Sequence, residues 1–181
     1  GNSIYGIKNG KGIINYYLED GNLYTENEYL DGEKNGKGKL FYFHGKQLEF
    51  EGEYRNGLRN GKGKEYDKSG NLIFEGEYLY GQKRKGKEYF KGKLEYEGEY
   101  LFNKKWCGKG YDEDGNIIYE LNNGNGKVKE YRNSVLIYEG EYLNGKKNGN
   151  VREYYYESGE LRYEGKYING QLEGKVKEYY G

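Results

Sequence analysis

Residues Leu72-Ile-Phe74-Glu-Gly76-Glu-Tyr78 decide the fold, because the same phrase returns along the chain at a nearly constant interval. An aliphatic residue, an aromatic residue, a glycine and a tyrosine follow one another, each separated from the next by one residue. The aromatic positions of the seven copies, two of them degraded, are 25 (a threonine), 50, 74, 96, 119, 138 and 163, at intervals of 25, 24, 22, 23, 19 and 25 residues. Periods of this length indicate one supersecondary unit stacked many times.

One unit, residues 70–92, predicts a β-hairpin. From Leu72 to Leu79, the residues of the phrase alternate with Ile, Glu, Glu and Leu, and this period of two is typical of a half-buried strand. We expect a first strand over 71–79, a loop over 80–84, a second strand over 85–90 and a turn at 91–92. Asn-Gly and Asp-Gly pairs occupy the corresponding loops of other copies, and such pairs are strong hairpin signals.

The sequence therefore predicts an all-β fold: an elongated, twisted, single-layer antiparallel β-sheet of about seven tandem β-hairpin repeats, or about 14 strands. The whole chain, 1–181, is expected to be one array. Its repeats are a partial copy at 1–24, then 25–49, 50–73, 74–95, 96–118, a degraded copy at 119–137, 138–162 and 163–181. The central glycine of each copy is expected to leave a slot for a neighbouring ring.

The composition excludes some classes of protein but does not identify a function. Of 181 residues, 34% are hydrophobic and 33% are charged, so the 25 Tyr and 6 Phe must supply much of the buried surface. The 30 basic and 30 acidic residues cancel, so we expect no nucleic-acid partner. The single Cys107 suits a reducing compartment, and the expected location is the cytoplasm, free or at the periphery of a membrane or the cytoskeleton. Methionine is absent, so Gly1 is expected to come from processing or from a longer protein.

Candidates for catalysis are few. His44 is the single histidine and is expected in a turn, and no nucleophile–base pair can be placed with it or with Cys107. The segment Asp112-Glu-Asp114-Gly115-Asn116 opens like a calcium loop, but its twelfth position, where a glutamate is required, is Asn123. We therefore predict no catalytic residue, no cofactor, no metal and no small-molecule substrate.

Residues 101–126 depart from the repeat. Trp106, the single tryptophan, and Cys107 stand where other copies have a basic residue and asparagine, while Leu121 and Asn123 replace the glycine and tyrosine of the phrase. One interpretation is neutral drift, with Trp106 covering apolar surface of the sheet. Another is a bend or a partner contact anchored by Trp106, since exposed tryptophan is enriched at binding hot spots. A reactive Cys107 thiol, favoured by nearby lysines, is a third.

The face opposite the aromatic residues is predicted to be charged. Its glutamates should lie across from lysines of neighbouring strands, and a slip of one residue would bury glutamate and expose tyrosine. The expected partners are Glu51, Glu53, Glu75, Glu77, Glu97 and Glu99 on one side and Lys62, Lys64, Lys85, Lys87 and Lys109 on the other.

Two surfaces are candidates for binding. The first is the aromatic face, which nothing else in the sequence can cover, so we expect a second copy of the chain or a protein partner to close it. Its predicted contact residues are Trp106, Tyr54, Tyr78, Tyr100, Tyr142 and Tyr167. The second surface is a basic rim of loop residues able to meet anionic phospholipid: Lys83, Arg84, Lys104, Lys105, Lys146 and Lys147. The alternative for the rim is that hairpin loops are polar in any case and that lysine discourages edge aggregation.

The phrases Asn60-Gly-Lys-Gly-Lys-Glu-Tyr66 and Phe74-Glu-Gly-Glu-Tyr-Leu-Tyr-Gly81 resemble MORN repeats (membrane occupation and recognition nexus), more closely their variant form, over nearly the full chain. The resemblance implies elongated β-sheets that serve as scaffolds, dimerisation modules or surfaces that tether proteins or membranes. We therefore expect a non-enzymatic scaffold for protein–protein interaction or homodimerisation. The alternatives are a peripheral membrane module that binds anionic phospholipid and the accessory region of a larger enzyme.

Overall fold

The protein is built of β-strands joined by short turns. The computed structural model describes residues 10–43, 46–132 and 135–179, and no helix occurs in these ranges, so none there could cross a membrane. His44 lies outside the described residues. The strands are β1 (Lys11–Tyr17), β2 (Leu23–Leu30), β3 (Glu33–Phe41), β4 (Leu48–Arg55), β5 (Leu58–Tyr66), β6 (Leu72–Leu79), β7 (Gln82–Phe90), β8 (Lys93–Leu101), β9 (Lys104–Tyr111), β10 (Ile117–Leu121), β11 (Gly126–Arg132), β12 (Val135–Leu143), β13 (Lys146–Tyr154), β14 (Leu161–Ile168) and β15 (Gln171–Glu178).

The chain divides into two compact units, Gly1–Gly92 and Lys93–Gly181. In the first unit, β1 to β7 pair in chain order, each antiparallel to the next. In the second unit, β8, β9 and β10 pair in the same way, and β11 to β15 form a five-stranded antiparallel sheet. The prediction of consecutive antiparallel hairpins is confirmed.

The hairpin loops are shorter than the sequence suggested. We expected a loop over 80–84, but β6 ends at Leu79 and β7 begins at Gln82, so the turn is Tyr80-Gly81 alone. Both turn residues have positive φ, 50° and 80°, as a two-residue type I′ turn requires, and this turn matches the twist of the strands it joins. Residues 82–84 therefore alternate between the two faces of the sheet instead of projecting from a loop.

The core is a row of aromatic rings lying over glycines. Phe74 is completely buried, and a Cβ added to the cross-strand partners Gly76 and Gly86 would lie 2.8 and 2.6 Å from its Cζ. Phe50 lies in the same way over Gly52 and Gly63, where the corresponding distances to Cζ are 2.6 and 2.8 Å. The predicted glycine slot is confirmed, and its occupant is the ring two residues earlier in the same strand.

The opposite face carries the predicted charge pairs. Glu75 lies across from Lys64 on one side and Lys87 on the other, and Glu77 lies across from Lys62 and Lys85. Tyrosine hydroxyls add to this network on the same face: Tyr66 donates to Glu51 at 2.7 Å and Tyr89 donates to Glu75 at 2.6 Å. This network supports one register, as expected, because a slip would separate both kinds of pair.

Candidate interaction surfaces

A basic side chain covers the aromatic rings of most copies. In four copies the cation is the second residue of the strand that follows the hairpin turn, and it projects over the ring of its own copy: Arg59, Lys83, Lys105 and Lys147. The guanidinium carbon of Arg59 lies 4.0 Å from the centre of the Phe50 ring, and Lys83 Nζ lies 4.1 Å from that of Phe74. Lys147 Nζ lies 4.2 Å from the centre of the Tyr138 ring. These are cation–π contacts, and the aliphatic stems add apolar cover.

Carboxylates hold these cations in place. Arg59 and Lys83 both bind Glu65, at 2.6 and 3.1 Å, and all three side chains are at most 25% exposed. In the second unit Lys147 binds Glu153 at 2.7 Å. Burial raises the pKa of Tyr78 above its ordinary value, and the neighbouring Glu65 carboxylate raises it further. The array therefore keeps its inner tyrosines neutral while its inner glutamates pair with cations.

This cover changes the expectation for the aromatic face. Tyr54, Tyr78 and Tyr100 are only 8, 3 and 7% exposed, so they offer a partner almost no surface. A partner contact at these three residues is not favoured by their burial and stays a prediction. Tyr142 and Tyr167 are half-buried, and their partner contact stays a prediction.

The predicted basic rim is divided between two faces. Lys83, Lys105 and Lys147 lie over rings, whereas Arg84, Lys104 and Lys146 are exposed. The short turn explains this division, because it places both residues of each basic pair within a strand. Successive side chains of a strand point to opposite faces of the sheet. A lipid-facing role stays a prediction for the three exposed residues and is not favoured for the other three.

The turns that close the hairpins form what we call the tip edge of each unit. They are 31–32, 56–57 and 80–81 in the first unit, and 102–103, 144–145 and 169–170 in the second. Neighbouring tips are joined by the backbone: Gly81 N–H donates to the Arg59 carbonyl at 2.8 Å, and Gly170 N–H donates to the Lys147 carbonyl at 2.9 Å. Each unit thus presents its tips as a continuous row.

Two tips carry exposed aromatic side chains. Tyr80 and Phe102 are 72 and 71% exposed, yet both have the left-handed φ, 50° and 51°, that disfavours bulky residues. The same tip position is Asn56, Asn144 and Asn169 in other hairpins, and asparagine tolerates this conformation. Sequence analysis missed these two residues. A signal was present, because Tyr-Gly and Phe-Asn interrupt a series of Asn-Gly pairs.

Aliphatic side chains extend this surface along the tip edge. Leu58 and Leu79 are 48 and 40% exposed in the first unit. In the second unit the corresponding exposed residues are Leu101, Leu143, Ile168 and Leu172. Much of the exposed apolar surface of the described residues thus lies at hairpin ends.

The irregular copy is a seam between two sheets. Among the described residues, an isolated bridge between Asn122 and Asn125 lies just beyond the end of β10 and just before β11. The Trp106 ring lies against Gly124 and Gly145, whose added Cβ atoms would be 2.5 and 3.4 Å from its Cζ3. Trp106 therefore covers the turn at Asn123 and Gly124, which supports the interpretation that it packs on its own sheet.

Two other candidates have structural roles in turns. Asn123 N–H donates to the Cys107 sulfur at 3.2 Å, so this half-buried thiol is part of the seam. Asp112 accepts bonds from Asn116 N–H at 2.8 Å and Asp114 N–H at 3.0 Å, and its side-chain bond with Asn116 lowers its pKa. The segment that opens like a calcium loop is thus an ordinary Asp turn. No group of three or more metal-ligating side chains occurs within the described ranges.

Comparison with known families agrees with this geometry. The MORN repeat model matches residues 28–43, 50–72, 138–150 and 163–180. Four segments of the chain are therefore similar to MORN repeats. Repeats of this family occur in scaffolds for membrane and protein interaction, and the family is a repeat scaffold without catalytic character of its own. No curated protein matches the chain.

Proposed function

We propose that this MORN-repeat protein is a non-enzymatic scaffold that binds protein partners through the tip edges of its units. The observation that carries the proposal is an exposed aromatic residue on left-handed backbone in each unit, Tyr80 in the first and Phe102 in the second. Bulky residues in sparsely populated backbone regions cost about 1–3 kcal/mol each and tend to mark functional positions. Aromatic side chains are also the usual anchors of protein interfaces.

The tip edge suits a protein partner better than the aromatic face does. Leu58, Leu79 and Tyr80 combine apolar surface with a rigid, hydrogen-bonded backbone in the first unit. The rings of Phe50 and Phe74 are fully buried and covered by cations, so binding there would first require displacing Arg59 and Lys83. The partner is a second copy of the chain or another protein.

A photo-crosslinking residue at position 80 tests the proposal in cells. We expect a discrete adduct, either a dimer of this chain or a complex with one partner. Ser69 is the matched control, since it is exposed and lies in the turn between β5 and β6, at the other end of the strands. Equal adducts at both positions, or none at position 80, would contradict binding through the tip edge.

An anionic-membrane module is the second candidate, because Phe102 and Lys104 place an exposed ring beside an exposed cation. This combination is typical of interfacial anchors. We rank it second because half of the predicted rim faces the rings. Sedimentation with phosphoinositide liposomes at low salt should recover little protein. Binding that persists at high salt and is lost in Phe102→Asn would reverse this order.

A further inference from the structure

The second unit contains a cavity of about 360 Å3 at the seam between β10 and β11, here called the seam cavity. Tyr119, Leu121, Val128 and Tyr142 are among its lining residues. In a regular copy, the tyrosine four residues after the core ring fills the corresponding space. Tyr54, for example, packs against Phe50 with their ring centres 5.6 Å apart.

The degraded copy has lost that tyrosine. Its counterpart is Asn123, which lies in the two-residue turn with φ of 49° and whose amide contacts Cys107. The copy also lacks a covering cation, because Gly126 is the second residue after its turn, where Arg59 or Lys83 stands in regular copies. The seam cavity is therefore the place of a missing aromatic ring, bordered by the rings of Tyr119 and Tyr142.

Lysines outnumber carboxylates in the lining of this space, although Lys147 is itself paired with Glu153 at 2.7 Å. Lys104, Lys105 and Lys147 line the seam cavity, against the single lining carboxylate of Glu130. Glu130 accepts a hydrogen bond from the Tyr142 hydroxyl at 2.9 Å. Lys105 Nζ lies 4.9 Å from the centre of the Tyr96 ring, the arrangement that stabilises rings elsewhere in the array. Lys104 is the exposed one of the three lining lysines.

We propose that the seam cavity binds an aromatic ring that carries a carboxylate. The ring takes the place of the missing tyrosine between Tyr119 and Tyr142, and the carboxylate pairs with Lys104. The volume is within the range of about 300–1,000 Å3 that is usual for ligand sites. Such a ligand is either a free aromatic acid or the C-terminal Phe or Tyr of a protein, in which ring and carboxylate belong to one residue. This site is separate from the tip-edge contact that carries the proposed function.

Trp106 gives a direct readout, because its ring lies 3.4 Å from the Cβ position of Gly145, a lining residue. The probes are phenylacetate and a short peptide ending in Phe, with phenylacetamide and the amidated peptide as neutral controls. We expect a saturable change in Trp106 fluorescence with at least one acid, and binding about tenfold weaker for its amide. The acid that binds identifies the source of the ligand.

Three variants locate the binding. Lys104→Ala should weaken it about tenfold, while Lys146→Ala, an exposed neighbour that does not line the seam cavity, should leave it unchanged. Val128→Phe should abolish it by placing a ring in the gap. If Val128→Phe does not fold, the comparison of Lys104→Ala with Lys146→Ala tests the proposal. The proposal is overturned if neither acid gives a saturable change, if acid and amide bind equally, or if both lysine variants behave alike.

Discussion

The rings of Phe50, Phe74 and Tyr96 are held by residues of three kinds: a glycine pair beneath the ring, a cation above it and a tyrosine beside it. Phe74 has Gly76 and Gly86 beneath it, Lys83 above it and Tyr78 beside it with ring centres 5.5 Å apart. These contacts explain how a chain that is one third charged can fold. The basic side chains lie over the core rings, and their aliphatic stems are covered by these rings instead of facing solvent.

Phe74→Ala tests the burial of the rings. We expect the free energy of unfolding to fall by about 3–5 kcal/mol, the usual cost of truncating a fully buried aromatic residue. Glu77→Ala, an exposed change in the same strand, should alter stability by less than about 0.5 kcal/mol. Denaturant unfolding followed by circular dichroism compares the two. Similar losses in both variants would mean that Phe74 is not core.

The first copy contains a compensated exchange. Thr25 stands in the ring position and Asn27 in the glycine position, and both are buried. Asn27 fills the space over Gly38 that a ring would otherwise occupy, since its amide oxygen lies at the Cβ position of Gly38. The two substitutions are therefore expected to be energetically coupled.

A double-mutant cycle tests this exchange. Thr25→Phe alone should destabilise because Asn27 blocks the ring, and Asn27→Gly alone should destabilise because it leaves a cavity. The double variant should recover at least about 1 kcal/mol relative to the sum of the single effects, since it restores a regular ring over Gly38. Thermal unfolding measures all three variants. Additive effects would show that ring and glycine positions are not coupled.

At the scale of elements, the strands could be predicted from the sequence because alternation and turn residues agree in every regular copy. Loop ends could not, since a basic residue such as Lys83 fits either a loop or the first positions of a strand. Because the predicted loop was three residues too long, the cations that cover the rings were predicted to form a rim of loop residues. Neither the exposed Tyr80 nor the seam cavity was predicted, because each depends on how the chain packs where its sequence departs from the repeat.

The seam gives a prediction at this scale. Trp106→Ala should destabilise the second unit by about 2 kcal/mol, because it uncovers the turn at Gly124 and the neighbouring Gly145. Trp106→Phe should retain much of this contact and lose less. Hydrogen exchange of β10 and β11 amides is the measurement. If Trp106→Ala leaves both strands as protected as before, the tryptophan is free for a partner and not part of the seam.

At the scale of the whole molecule, the residues that stabilise the array differ from the residues that are exposed to a partner. The rings and their cations belong to the first group, and the tip-edge aromatics belong to the second. Proteins commonly lose some stability at functional positions. Tyr80 and Phe102 fit this pattern, because asparagine at the same turn position would suit the backbone better.

The double variant Tyr80→Asn, Phe102→Asn tests this central claim most directly, with thermal stability and partner binding measured on the same protein. We predict that the unfolding midpoint rises by about 2–4 °C, as expected for roughly 1 kcal/mol of relieved strain in a chain of this size. Binding of the partner crosslinked through position 80 should be lost. A variant that is less stable and still binds would contradict the account.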